Sequence, residues 1–177
     1  FENNFGLING MVKIGFDKLM LSDVTAQSNG SKLNVDGTLY FNQSNKAKLF
    51  VTGSSIDIQS QMMPILPMRY QGIIDDTGLT GKTSFAFDLA YTENVEDDLG
   101  PLLVVTGSCG VDQLHLDTPL SVDVLSSTAN IIEAHYRPNK HAVKLVLQTD
   151  LKNATVQDIL FSDAQCDISF DSHKDNT

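Results

Sequence analysis

Apolar and polar residues alternate one by one along much of this chain. In Lys32–Phe41, the residues Leu33, Val35, Leu39 and Phe41 occupy one phase, with Gly37 among them. Lys32, Asn34, Asp36, Thr38 and Tyr40 occupy the other. A period of two sends successive side chains to opposite faces of a β-strand. After the polar stretch Asn42–Asn45, Ala47, Leu49 and Val51 alternate with Lys48, Phe50 and Thr52. Two such runs around a short Asn/Ser turn predict a hairpin. Phe85, Phe87, Leu89 and Tyr91 repeat the pattern around Ala86, Asp88 and Ala90, as do Val122 with Val124 and Ile132, Ala134 with Tyr136. Beyond the turn residues Arg137–Lys140, Val143, Leu145 and Leu147 resume it, predicting a second hairpin. The last run sets Ala164, Cys166, Ile168 and Phe170 against Asp163, Gln165, Asp167, Ser169 and Asp171. One dry and one wet face is the signature of antiparallel strands solvated on one side.

Helix signals are sparse. Ile58–Met68 is apolar but broken by Pro64 and Pro67, and reads as a short helical turn or an apolar loop. Glu93–Leu99 has room for one turn, with Glu96–Asp98 suited to a helix N-terminus. Phe16–Leu21, Val111–Leu116 and Val156–Phe161 share an apolar-x-x-apolar-x-apolar pattern, a loose internal repeat too irregular for a solenoid. The expectation is a mainly β fold, an antiparallel meander forming a curled or groove-shaped sheet, with a β-sandwich as the alternative. At most one or two short helices accompany it. Residues 1–177 read as a single β domain, a segment of a longer repetitive β protein.

Charge narrows the partners. Twelve Lys+Arg against 22 Asp+Glu give a net charge of −10, with no basic cluster. Nucleic acid and anionic headgroup surfaces both demand a basic patch, so neither is expected as a partner. The apolar runs, such as Leu102–Val105, are far too short to span a bilayer as a helix. A start at Phe1 reads as a segment or mature chain whose targeting signal is gone, with any membrane anchor lying outside these residues.

Candidate chemistry is thin, and no enzyme activity, cofactor or metal is expected. Cys109 and Cys166 lie 57 positions apart without zinc-ligand spacing. Cys166 falls in an apolar strand phase, as a buried thiol does, and a disulfide between the two is the alternative. His135 and His141 flank the Arg137–Lys140 turn, but no third ligand converges there; His115 and His173 stand elsewhere. Gly107-Ser-Cys-Gly110 lacks the surroundings of a cysteine nucleophile and reads as a strand kink or turn. Gly78–Thr83 resembles the end of a phosphate loop, yet Asp76 occupies the position of the required first glycine. Asp75-Asp76 and Asp97-Asp98 are sequence neighbours that point apart in an extended chain, while Asp163, Asp167 and Asp171 form a ladder on one strand face.

The glycine pattern adds a family. Gly78–Tyr91, then Leu99–Leu102, Gly107 and Val111–Leu116 together resemble a segment of the AsmA-like family of envelope proteins. The course of Val12–Ser60 is similar to the preceding repeats of such proteins. Where the family often has Leu-x-Gly, this chain has Leu103-Val-Val-Thr-Gly107. The resemblance implies a periplasmic protein of Gram-negative-type bacteria, anchored in the inner membrane. Its curled sheet would carry phospholipid acyl chains toward the outer membrane on an apolar groove, working with other segments of the same protein or other envelope proteins. The residues in position to line that groove are Leu33, Val35, Leu39, Phe41, Leu49, Val51, Phe85, Phe87, Leu89, Val143, Leu145, Leu147, Ile168 and Phe170. The reading that competes is an extracellular or surface β-sandwich for adhesion or assembly, with the same residues sealed in a core.

Overall fold

The computed structural model describes residues 7–41, 45–65, 68–93, 100–117, 121–137 and 142–171. Among these residues, nine strands make one antiparallel sheet in which each pairs with its sequence neighbours. They are β1 (Leu7–Ile14), β2 (Lys18–Ser28), β3 (Ser31–Tyr40), β4 (Lys46–Asp57), β5 (Thr80–Thr92), β6 (Leu102–Leu116), β7 (Val122–Arg137), β8 (Ala142–Val156) and β9 (Ile159–Asp171). The meander expected from the alternation is therefore the fold. The sandwich alternative is not formed, because every strand among the described residues joins the same sheet.

Local chemistry explains the turns. Asn29 and Gly30 close β2 onto β3 with φ of 48° and 84°, and Gln157 and Asp158 close β8 onto β9 with 48° and 65°. Two consecutive positive φ values give the turn whose twist matches paired strands. Both hairpins predicted from sequence are present, with Tyr40 opposite Lys46 and Arg137 opposite Ala142. Their turn residues 42–44 and 138–140 lie outside the described residues, as does 94–99, where a helical turn was expected.

The sheet curls where strands bulge: the pairing shifts register at extra residues in β2, β4, β6 and β7. Asp23, Ser55 and Gln113 mark the first three, with φ of 52° or 53°. Extra residues in one strand bend it and tighten its twist. Side chains of the neighbouring strands satisfy two of the displaced amides. Asp23 N–H donates to Asp36 Oδ1 at 2.7 Å, and Ser55 N–H to Ser84 Oγ at 3.0 Å. Opposite two register shifts stand Gly37 and Gly107, with φ of 147° and 134°. A Cβ there would fall 2.1 Å from the carbonyl oxygens of Lys48 and Ala86, so only glycine fits.

A helical insert joins β4 to β5. It holds a π-type turn (Ile58–Met62), a 3-10 turn (Met63–Ile65) and the helix α1 (Met68–Thr77). The first two resolve the apolar stretch that the prolines interrupt. The helix gave little signal, since its segment MRYQGIIDDT contains a glycine and only a short apolar stripe. Asp57 starts the insert as an N-cap, accepting from Ser60 N–H at 2.8 Å and from Ser60 Oγ at 2.7 Å. Those hydrogen bonds favour its charged form and hold its carboxyl below the usual aspartate value. The buried Gln61 pins the insert to the β2–β3 hairpin. Its Oε1 accepts from Asp57 N–H at 2.9 Å and lies 2.6 Å from Ser31 Oγ, while its Nε2 donates to Ser28 O at 3.2 Å. At the far end, Asp117 N–H donates to Thr77 O at 2.8 Å, tying α1 to the end of β6.

The buried apolar side chains gather at this end of the sheet. Ile58 and Ile74 belong to the insert; Ile56, Val124 and Ala154 come from the strand ends beside it. Val124 and Ala154 are direct partners across β7 and β8. The three loosely repeated sequence motifs take unrelated places: the start of β2, the bulged end of β6 and the β8–β9 turn. They are not a structural repeat.

Candidate functional site: an apolar sheet face

Cross-strand register converts the alternation into four rows that run across the strands. The first is Ile14, Leu19, Leu39, Ala47, Tyr91, Leu103, Tyr136 and Val143. The second is Val12, Leu21, Gly37, Leu49, Leu89, Val105, Ala134, Leu145 and Phe170. The third is Val24, Val35, Val51, Phe87, Gly107, Ile131, Leu147 and Ile168. The fourth is Ile8, Ala26, Leu33, Gly53, Phe85, Cys109, Ala129, Thr149 and Cys166. Directly opposed residues share a face, so these rows form one nearly uninterrupted apolar surface. With strands about 4.8 Å apart, it runs for about 38 Å along the curl.

Thirteen of the fourteen candidate groove residues fall in these rows. Phe41 shares their phase but follows β3 and is exposed, its N–H donating to Asp17 O at 2.8 Å. The sequence reading missed Leu19, Leu21 and Val24 on β2, Leu103 and Val105 on β6, and Ile131 on β7. In β2 and β7 a bulge interrupts the alternation at Ser22-Asp23 and at Ile132. In β6 the continuous run Leu102–Val105 hides it.

Nothing among the described residues lies over the rows as a second layer, and from β2 to β8 their side chains are half-buried. The whole chain exposes 11802 Å². A compact monomer of this mass exposes about 8,500 Å². At mid-face Phe85 and Phe87 stack with ring centroids 5.0 Å apart and planes 8° apart. Phe85 leans over Gly53, where a Cβ would come within 2.5 Å of the ring.

The opposite face is mostly polar, carrying Asn34, Asp36, Thr38, Lys48, Asp88, Thr106, Asn130, Gln148 and Asp167 in the alternate phase. Its apolar exceptions include Phe50, which sits in a shallow depression of about 320 Å³ with Asp36, Lys48 and Asp88.

Among the described residues, the titratable groups meet in pairs on the sheet surface. His115 Nδ1 lies 2.6 Å from Asp123 Oδ1 across β6 and β7, and His135 Nδ1 lies 3.6 Å from Glu133 Oε1. Lys144 Nζ, 2.8 Å from Glu133, holds that half-exposed carboxyl below its usual value. His141 and His173 lie outside the described residues. No three His, Cys, Asp or Glu among the described residues are placed to hold a metal. Gly78–Thr83 follows α1 and enters β5, and Gly107–Gly110 lies inside β6.

Both cysteines are free. They occupy one row, with Ala129 and Thr149 between them. Three strand spacings put them about 14 Å apart, beyond disulfide reach. Burial pushes the half-buried Cys109 thiol above its usual value. Cys166 was expected to be buried and is exposed instead, because among the described residues β9 has a neighbour on one side only.

Comparison of the chain with protein-family models, with curated proteins and with solved structures gave no match.

Proposed function

We propose that this chain is a non-catalytic lipid-handling module whose apolar face carries the acyl chains of phospholipids. One observation carries the reading: four aligned apolar rows cross eight or nine strands, with no second layer over them among the described residues. Soluble proteins rarely leave so large a contiguous apolar surface without a ligand or partner for it. The rows cross the strands, so an extended hydrocarbon can lie along a single row and move from strand to strand without meeting a charge. Such a surface needs no reacting group. The resemblance to AsmA-like envelope proteins supplies the setting we propose: the periplasm, an inner-membrane anchor outside these residues, and transfer toward the outer membrane. Other segments of the same protein or further envelope proteins would complete the path. Nucleic acid has no place in it, given the net charge of −10.

Photo-crosslinking tests the reading. A benzophenone amino acid at Leu49 or Leu89 should capture phospholipid from cells expressing the protein, while one at Lys48 or Asp88 should not. Equal capture from both faces, or none from either, defeats the proposal. So does lipid-free protein from repeated native purifications analysed by mass spectrometry.

A further inference from the structure

An aromatic ring stands on the polar face, where it contributes little to the fold. Phe50 lies in the outward phase of β4 and is 41% exposed. Its direct partners are Asp36 on β3 and Asp88 on β5, and Asp88 in turn faces Thr106 on β6. Aromatic rings gain cross-strand stabilisation from aromatic or β-branched partners, and neither carboxylate is one. In the adjoining row Lys48 stands opposite Ala90, and Ala90 opposite Val104. Together these side chains line the depression of about 320 Å³. That volume falls within the range of small-ligand sites, about 300–1,000 Å³. The strands that supply it, β3 to β6, lie in the interior of the sheet.

The groups around the ring define the class of ligand. Asp36 is committed to the protein: its Oδ1 accepts from Asp23 N–H at 2.7 Å and its Oδ2 from Asn34 Nδ2 at 2.9 Å. Lys48, Asp88 and Thr106 are exposed, and their side chains make no hydrogen bond or ion pair among the described residues. Lys48 and Asp88 are thus diagonal neighbours of opposite charge that stay apart, each beside Phe50. An anionic ligand would meet both carboxylates, and a cationic one would meet Lys48. A neutral polyol meets neither objection. Its hydroxyls donate to the Asp88 carboxylate and accept from the Lys48 ammonium, which can only donate. The C–H face of a pyranose ring suits the negative face of an aromatic ring.

We propose that Phe50, Lys48 and Asp88, with Thr106 at the margin, bind a neutral pyranose sugar stacked on the Phe50 ring. The site lies on the face away from the apolar rows, so it stands apart from the lipid reading. The probes are the methyl pyranosides of glucose, galactose, mannose and N-acetylglucosamine. Each is titrated into the whole isotope-labelled chain, and amide NMR shifts follow binding. At least one should move the amides of Lys48, Phe50 and Asp88 saturably, with a Kd of about 1 mM or tighter. Phe50→Ala should weaken that sugar at least about tenfold, while Phe50→Tyr keeps it. Asp88→Asn and Lys48→Gln should each weaken it about tenfold. Urea denaturation of each variant separates a lost site from a lost fold, and Asp88→Asn carries the test if Phe50→Ala unfolds. The absence of a saturable shift with every probe overturns the proposal. So does binding undiminished by Phe50→Ala or Asp88→Asn, or a preference of the same amides for free phenylalanine, a zwitterion, over all four sugars.

Discussion

The insert end of the sheet and its middle are made of similar side chains, yet one is a core and the other a surface. Ile58, the first residue of the π-type turn, is 3% exposed, whereas Leu49, Phe87 and Val105, no less apolar, stay half-buried. The difference is architectural. At the insert end, Gln61 and Asp57 fix a second element beside the strand ends. Along the rows there is only the curl of the sheet. Apolar content therefore tells where a dry surface is needed, and topology decides whether the chain itself supplies the cover.

The largest expected effect tests the curl that gives the rows their form. Gly107→Val or Gly37→Val places a branched side chain against the neighbouring carbonyl and should cost about 3 kcal/mol or more, if the protein folds at all. Urea denaturation measures it, and a loss under about 1 kcal/mol would show that the sheet does not depend on that close approach. Next, Ile58→Ala should cost about 2–4 kcal/mol and Leu49→Ala clearly less, because only the first empties a filled site. Equal losses would erase the distinction between core and surface. Gly53→Ala should displace the Phe85 ring into the space above the rows, costing about 1–3 kcal/mol and weakening binding of a fluorescent fatty acid. Adding Phe85→Leu should restore both.

Two smaller effects sharpen the contrast. Asp57→Ala should cost about 1 kcal/mol at neutral pH through loss of the cap. The folded-state value of Asp57 is depressed, so this contribution is present above the unfolded value near 3.8 and disappears as pH falls through the folded one. Wild type and variant should therefore converge in acid; a gap that persists well below pH 3.8 would assign the effect to packing. Finally, Cys166 should react with iodoacetamide several-fold faster than Cys109, whose thiolate is disfavoured by burial. Peptide mass spectrometry reads both sites, and reversed rates would mean that the rows close over β9 rather than over β6.

The strands were legible because period-two alternation is unambiguous where one face is wet and the other dry, as in Leu33–Phe41 and Ala164–Phe170. It failed where geometry departs from the period. The bulge at Asp23 throws Leu21 and Val24 out of step in sequence although both face the same way. The helix α1 was hidden because tertiary ties at Thr77 and Ile74, rather than propensity, hold it. Of the candidate site, the residues of β3, β4, β5, β8 and β9 could be read in advance. Their alignment into rows could not, since that rests on register across turns. The exposure of Cys166 was equally out of reach, because a strand's own sequence does not say whether one neighbour or two lie beside it.

The meander also has a consequence for assembly of the sheet itself. Among the described residues each strand pairs only with its neighbours along the chain. Every pairing therefore closes a short stretch of sequence, and only the helical insert lengthens one, between β4 and β5. Such local pairings cost little loop-closure entropy, so the sheet can grow from any of its hairpins, strand by strand.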